Sequence, residues 1–367
     1  MESIGHEAPA CDLDRLRPSL KTAKVCYGAS KYASHARVAR TYRELIRGQC
    51  EILKEIEHAD IVVLHFEPHC LESLFETYPA LKNKYVIGYC VWEASELPVA
   101  HQKGISLVQE IWTCSRYCSE IFARYHPQVT YVPHVVERET SCSDNDREHI
   151  RRLVSYDREQ FYFLMLTKLW DLRKNTATLL AAFQSQRASM PKARLIIKIG
   201  PQDSTDGLPQ DGVTTLREHL NESQVNALYE IADAYVSPHH SEGWGLTISD
   251  AMIFQKPTIA TGYSGNCEFM NAENSLLLDF TVSHIKPEEC FSYFDQSMKW
   301  AYPSHGDLEQ KLLSLYHMRG TPALQRMTQH AARDIAKFDR NVVSGIIKQR
   351  IAQIVDSEQF SQIVAKR

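Results

Sequence analysis

The sequence predicts an α/β protein with parallel sheets in two domains. Three observations lead there. Short continuous apolar runs, such as residues 60–65 and 84–92, alternate with stretches at helical spacing. Continuous runs are what strands buried on both faces look like. The chain has 367 residues, enough for two proper cores. Finally, residues 234–268, AYVSPHHSEGWGLTISDAMIFQKPTIATGYSGNCE, read as strand, loop, helix, strand, loop. That order sets two loops side by side at the carboxyl edge of a parallel sheet, where α/β proteins bind ligands.

Composition narrows the class. Hydrophobic residues make up 44% and charged residues 23%, ordinary values for a globular chain. The formal net charge of -4 gives no global pull toward nucleic acid, which is not expected as a partner. The 10 cysteines are scattered and make no CxxC pair, which suggests a reducing compartment. His65 with His69, and His239 with His240, lack a matching acidic or thiol set at zinc spacing, so no metal site is expected. No run of 18 apolar residues exists, and the polar start MESIGHEAPACDLDRLRPS lacks a signal-peptide apolar region. The expected location is the cytoplasm.

In order, residues 1–20 read as a loosely attached tail and 21–136 as the first domain. Residues 24–27 form the first strand, and Gly28-Ala-Ser30 its loop. A helix over 34–47 is expected to continue past Gly48 toward His58. Lys31, His35 and Arg37 could reach a phosphate, but a solvated helix start is the preferred reading. Strands follow at 60–65 and 84–92, and the second ends in Trp92-Glu93-Ala-Ser-Glu96, where Glu93 is either a ligand contact or a helix cap. Residues 110–114 form a strand with Ser115 as cap of the next helix. Residues 129–134 close the domain.

Residues 137–158 are polar and read as a linker containing a helix over 149–154. The second domain, 159–338, starts with a strand at 161–166. A loop with Lys168, Arg173, Lys174 and Asn175 leads into an amphipathic helix burying Leu179, Leu180 and Phe183. Strands at 194–199 and 213–217 precede a helix over 222–232. After the strand at 234–238 comes Glu242-Gly243-Trp244-Gly245. Gly243 and Gly245 let backbone approach a ligand without a Cβ in the way, and the amides opening the next helix, at Leu246, favour an anion. Glu242 and Asp250 could face one cleft. The plainer reading is an acidic helix start with a turn glycine. Residues 275–279 end the sheet. From His305 the chain is helical, with breaks near Gly320-Thr-Pro322 and Phe338-Asp339, and 339–367 ends in a helix with Ile346, Ile347, Ile351 and Ile354.

Glu242-Gly-Trp-Gly-Leu-Thr-Ile-Ser-Asp250-Ala-Met252, Lys256-Pro-Thr-Ile-Ala-Thr261 and Gly265-Asn-Cys-Glu268 together resemble the donor-binding half of retaining GT-B glycosyltransferases of the family 4-like, group 1 type. The usual pattern there is E-x7-E. This chain has Asp250 at the second acid and Gly265-Asn266 where Gly-Gly is common. The resemblance covers about residues 161–280 well. It implies two Rossmann-like domains facing across a cleft, with the last helix crossing back to the first domain. It implies a metal-independent, retaining transfer of a hexose, from GDP-mannose or a UDP-hexose, to a carbohydrate or lipid-linked acceptor in glycan or polysaccharide assembly. No cofactor is implied beyond the nucleotide-sugar co-substrate. A lipid-linked acceptor would add peripheral contact with the inner face of a membrane.

The resemblance also assigns roles. Glu242, Lys168 and Lys174 are the catalytic set, with the lysines on the diphosphate. Gly243, Trp244, Gly245 and Leu246 hold the donor, Asp250 its ribose, and Arg217 and Glu218 the base. Glu93, His134 and Gly28 are acceptor or sugar contacts. The first domain lacks the family's usual glycine pair and its histidine after the 84–92 strand. Those departures keep one rival, a non-catalytic subunit supporting a partner glycosyltransferase; a second rival is a sugar-nucleotide epimerase on the same fold.

Overall fold

The computed structural model describes residues 23–365, so the tail expected over 1–20 lies outside the described residues. The strands β1 (Lys24–Ala29), β2 (Glu51–Leu53), β3 (Ile61–His65), β4 (Tyr85–Tyr89), β5 (Glu110–Thr113) and β6 (Val129–Tyr131) form one sheet in the order β2-β1-β3-β4-β5-β6. The strands β7 (Phe161–Leu166), β8 (Ala193–Lys198), β9 (Val213–Leu216), β10 (Ala234–Ser237), β11 (Thr258–Thr261) and β12 (Leu276–Leu278) form a second, in the order β12-β11-β10-β7-β8-β9. All pairs in both sheets are parallel. β3 and β4 are buried at every position, which is why they read as unbroken apolar runs.

Two local expectations need correction. Residues past Gly48 do not prolong the helix Ala33–Arg47; they turn into β2, which pairs with β1 at the sheet edge. Gly28 is not in a loop but inside β1, opposite Leu64 of β3. A third element was not anticipated. Beyond β12 the chain forms an antiparallel hairpin of β13 (Phe280–His284) and β14 (Lys299–Pro303). Ala301 of β14 donates to the His240 carbonyl at 3.0 Å and accepts from His240 Nδ1 at 2.7 Å, which ties the hairpin to the loop after β10.

β7 shows how the layers are built. Its alternate residues Phe161, Phe163 and Met165 pack with Leu179, Phe183 and Leu312 in one core, while Tyr162 and Leu164 face another. That second core is continuous with the core of the first sheet, through Trp244, Ile248 and the C-terminal helices. The helix Arg340–Val355 lies beside Ala33–Arg47, with Gln49 Nε2 donating to Ser344 Oγ at 2.8 Å. Arg350 grips the fully buried Glu110 carboxylate at 2.7 and 3.0 Å, so the end of the chain is anchored on the first sheet.

Several helix starts are chemically explicit. Ser115 accepts from the Cys118 amide, and Ser143 from Asp146. Asn221 and Gln224 make a reciprocal capping box at the helix Glu222–Ile231.

Candidate functional site

A cleft of about 980 Å³ opens where the carboxyl ends of the two sheets meet. The loop between β10 and the helix Leu246–Ile253 supplies one wall with Glu242, Gly243, Trp244, Gly245, Leu246 and Thr247. Gly245 has φ 91°, a left-handed conformation that favours glycine, and it turns the chain into the helix. The first helical amides have no intrahelical partner, so this wall presents N–H groups and the positive end of the helix dipole.

Glu242 is almost fully buried, yet ionised. Lys174 Nζ is 2.5 Å from its Oε1, and Arg173 Nη1 is 3.2 Å from its Oε2. Burial alone would raise the Glu242 pKa; the Lys174 and Arg173 charges outweigh it and hold the carboxyl at about 2. The backbone of Glu242 is clamped by the second loop. Its amide donates to Ser264 Oγ at 2.8 Å, and its carbonyl accepts from the Gly265 amide at 2.8 Å. A Cβ on Gly265 would lie 1.9 Å from the Gly243 carbonyl oxygen, so only glycine permits this approach.

Arg173 was not singled out from the sequence, although it adjoins Lys174 in Arg-Lys-Asn. It is buried, donates to the Ser241 carbonyl at 2.5 Å and to Asp171 at 2.9 Å, and lies 4.0 Å from Glu93. Its guanidinium is committed to protein groups and holds Glu242 in place. Lys174 is the more accessible of the pair and lines the cleft. Lys168 also lines it but stands apart, donating to Tyr32 Oη at 2.8 Å across the two domains, with its ammonium 4.1 Å from the Tyr32 ring centroid.

Asp250 is placed differently from its expected role as a ribose ligand. It is buried outside the cleft lining. Arg37 takes both its oxygens at 2.7 Å, and Arg138 adds a contact at 2.9 Å. Arg37 is therefore half of an interdomain ion pair rather than a solvated helix start. The shorter aspartate arm ends at these arginines, with Arg138 also donating to Asn226.

Arg217 and Glu218 need a shift in register. Both are exposed and outside the lining; Arg217 donates to the Pro201 carbonyl and Glu218 pairs with His149. The next two residues, His219 and Leu220, line the cleft with Lys198, Ile199 and Gly200. The strand β9 ends at Leu216, one residue earlier than expected, and the loop turns back later. Gly28 is also outside the lining, since its place in β1 sets it against Phe66 and Leu64.

Glu93 and His134 do line the cleft. Burial raises the Glu93 pKa, even beside Arg173. His134 is held neutral, its pKa lowered to about 3 by burial and then by His35 and Arg37. Its Nδ1 is 3.1 Å from Tyr89 Oη, and its ring stands edge-on to Trp244. Trp244 itself is buried among His134, Phe269 and Phe338, a plug at the domain junction. Gly243 has a structural reason of its own: an added Cβ would lie 2.1 Å from Val91 Cγ1 of the first domain.

His35, which the sequence offered as a phosphate contact, lines the cleft; sequence reasoning missed His65 and His101 as lining residues, and the hairpin aromatics Phe291, Tyr293 and Phe294. The Phe291-Ser-Tyr293-Phe294 run was visible, but nothing local in it points to a cleft.

Residues 146–285 match the family model described as glycosyl transferases group 1. Among curated proteins none matches this chain in sequence. Among solved structures, the pneumococcal O-GlcNAc transferase GtfA in complex with UDP and GlcNAc is similar, with TM-score 0.56, 14% identity, and coverage of 81% of this chain and 57% of that one. A sucrose-phosphate synthase from Thermosynechococcus elongatus is similar at TM-score 0.66 and 13% identity over 91% of this chain and 99% of that one. WaaG, a glycosyltransferase involved in lipopolysaccharide biosynthesis, is similar at TM-score 0.57 and 12% identity over 91% and 100%. This chain spans 57% of the GtfA chain and 60% of the chain from the GtfA/B complex. Identities this low carry the fold. The two facing sheets are the GT-B fold, and residues 146–285 carry the match to the group 1 glycosyl transferases.

Proposed function

We propose that the protein is a retaining, metal-independent glycosyltransferase that moves a hexose from a nucleotide sugar to an acceptor hydroxyl in glycan assembly. The observation that carries this reading is Glu242. It is a buried carboxylate held ionised by Arg173 and Lys174. It stands immediately before the open amides of the helix Leu246–Ile253. That wall suits a diphosphate at the amides and Lys174, with Glu242 accepting hydrogen bonds from donor hydroxyls. Lys168 adds a second cation on the cleft wall, so leaving-group charge is met by lysines and backbone amides. The pocket of Lys198, Ile199, Gly200, His219 and Leu220 suits the nucleoside end.

Glu242 is committed to two cations, which suits binding rather than attack. The step is then a front-face displacement. The bond from the anomeric carbon to the phosphate oxygen breaks, and a bond to the acceptor oxygen forms on the same face. The acceptor proton passes to the departing phosphate oxygen, giving a glycoside and a nucleoside diphosphate with the donor's anomeric configuration retained.

A thermal-shift panel of GDP, UDP, ADP and dTDP sugars identifies the donor, since a bound nucleotide stabilises the native state by mass action. Turnover with that donor should fall about a hundredfold in Lys174→Ala. Proton NMR of the product should show retained configuration, and intact-protein mass spectrometry no glycosyl adduct on Glu242. Inversion or an adduct refutes this mechanism. Absence of both transfer and donor hydrolysis would instead favour the non-catalytic subunit.

A further inference from the structure

The two walls of the cleft differ in charge. Among the described lining residues, every lysine and arginine, Lys168, Arg173, Lys174 and Lys198, comes from the second domain. The first domain lines it with Glu67 and Glu93 and with histidines, and with no lysine or arginine. Burial lowers the pKa of His134 and His101 to about 3, so both stand neutral at physiological pH. On the first-domain wall a second anion would meet the Glu67 and Glu93 carboxylates and no lysine or arginine of that wall; Lys168 lies on the opposite wall beside Trp170.

The hairpin loop between β13 and β14 reaches across to that wall. Phe294 stacks on Trp92 with ring centroids 4.7 Å apart and planes 8° apart. Tyr293 lies 4.6 Å from His69 and 4.9 Å from His101. The crossing is fixed by backbone: the Ser95 amide donates to the Lys299 carbonyl at 3.1 Å, and the Lys299 amide to Ser95 Oγ at 2.8 Å. Trp170, 55% exposed, stands edge-on to Phe291 at 6.3 Å. All these rings line the cleft. His101 is only 2% exposed, yet neither of its ring nitrogens has a hydrogen-bond partner among the described residues, and His69 Nδ1 has none either. A buried polar group left unpaired is costly, and a ligand hydroxyl that reached His69 or His101 would relieve that cost.

Resting on the transferase reading above, we propose that this end of the cleft is the acceptor subsite and that it takes a neutral sugar ring rather than an anionic head group. A pyranose offers weakly positive C–H faces to the negative faces of Tyr293, Phe291 and Trp170. Its hydroxyls both donate and accept, which matches a neutral imidazole carrying one donor and one acceptor nitrogen. Glu67 and Glu93 accept from further hydroxyls and repel phosphate. The hairpin is thus the element that selects the acceptor.

Saturation-transfer NMR tests this with methyl α-mannoside and methyl α-glucoside as neutral probes and glycerol 3-phosphate as the anionic one, each with and without UDP or GDP. The glycosides should receive saturation from the aromatic protons and glycerol 3-phosphate should not. Tyr293→Ala and Trp170→Ala, both at partly exposed positions, should each weaken glycoside binding about fivefold. Nucleotide affinity should stay unchanged in Tyr293→Ala; Trp170 also lies against Lys168, with the ammonium 5.3 Å from its ring centroid, so Trp170→Ala is read on glycoside binding alone. Glycerol 3-phosphate binding in preference to the glycosides, or glycoside binding indifferent to both substitutions, overturns the proposal. Glycoside binding in a protein that binds no nucleotide would sustain the sugar site and refute the transferase reading. Nucleotide binding without any glycoside signal would do the reverse.

Discussion

Gly243→Ala tests how tightly the two domains meet beside Glu242. The new methyl would lie 2.1 Å from Val91 Cγ1, against an ordinary carbon contact of about 3.5–4.0 Å. Something must move by more than about an ångström. The Gly243 carbonyl also accepts from Cys114 Sγ at 3.2 Å, so the loop is not free to retreat. Overpacking of this kind costs about 1–3 kcal/mol. The structure also supplies the remedy. Val91→Ala removes Cγ1, and the remaining neighbours, Val91 Cβ at 3.6 Å and Cys118 Sγ at 3.7 Å, are at ordinary contact. Val91→Ala alone should cost about 1.5 kcal/mol in lost methyl burial. The double variant should then be more stable than the sum of the single losses by about 1–2 kcal/mol. Denaturant unfolding of all four proteins measures that coupling. Additive losses, or a Gly243→Ala protein with the parent midpoint, would refute the argument that the glycine is there for Val91.

The remaining predictions concern buried charge. His101, His134 and His239 have folded pKa values of about 3, with burial the leading cause, against an ordinary 6.5. A depressed histidine gives stability that is complete above about pH 6.5 and is lost as pH falls toward the folded value, because the unfolded chain takes up protons the folded one refuses. Each contributes a slope of up to about 1.4 kcal/mol per pH unit, so across both domains the three together remove up to about 10 kcal/mol of the whole chain's stability by about pH 4. A denaturant midpoint that stays flat from about pH 7 to pH 5 contradicts this. At the domain junction, Asp250→Asn should cost about 3 kcal/mol by leaving Arg37 and Arg138 without their shared anion. Arg37→Met should then add little in the Asn background, and full additivity in unfolding experiments would show that the pair does not act as a unit.

The order of strands and helices was legible because it depends on local chemistry. Residues 61–64 and 85–89 are buried on both faces, so they read as short apolar runs. Ser115 needed to be a hydroxyl residue to cap its helix. The loop from Glu242 to Gly245 and its neighbour at Gly265 could be read as a site, because a left-handed turn at Gly245 and a backbone approach at Gly265 restrict those positions to glycine. What each side chain meets across the cleft could not be read. Asp250 is separated by 213 positions from Arg37, and only the packing of one domain on the other turns it from a candidate ribose ligand into half of an ion pair. Gly243 looked like room for a ligand, but its space is filled by Val91. Arg173 and Lys174 are neighbours in sequence and both line the cleft, yet burial commits the first to Asp171, Ser241 and Glu242, whereas the second meets Glu242 from a more exposed position. The hairpin aromatics carry no local pattern at all. Their role depends on Trp92, His69 and His101, which reach them only because two sheets with separate hydrogen-bond ladders are held face to face by a shared core. Local propensity fixes elements within a few residues of chain, whereas long-range charge and ring contacts exist only after the tertiary fold has brought the walls together.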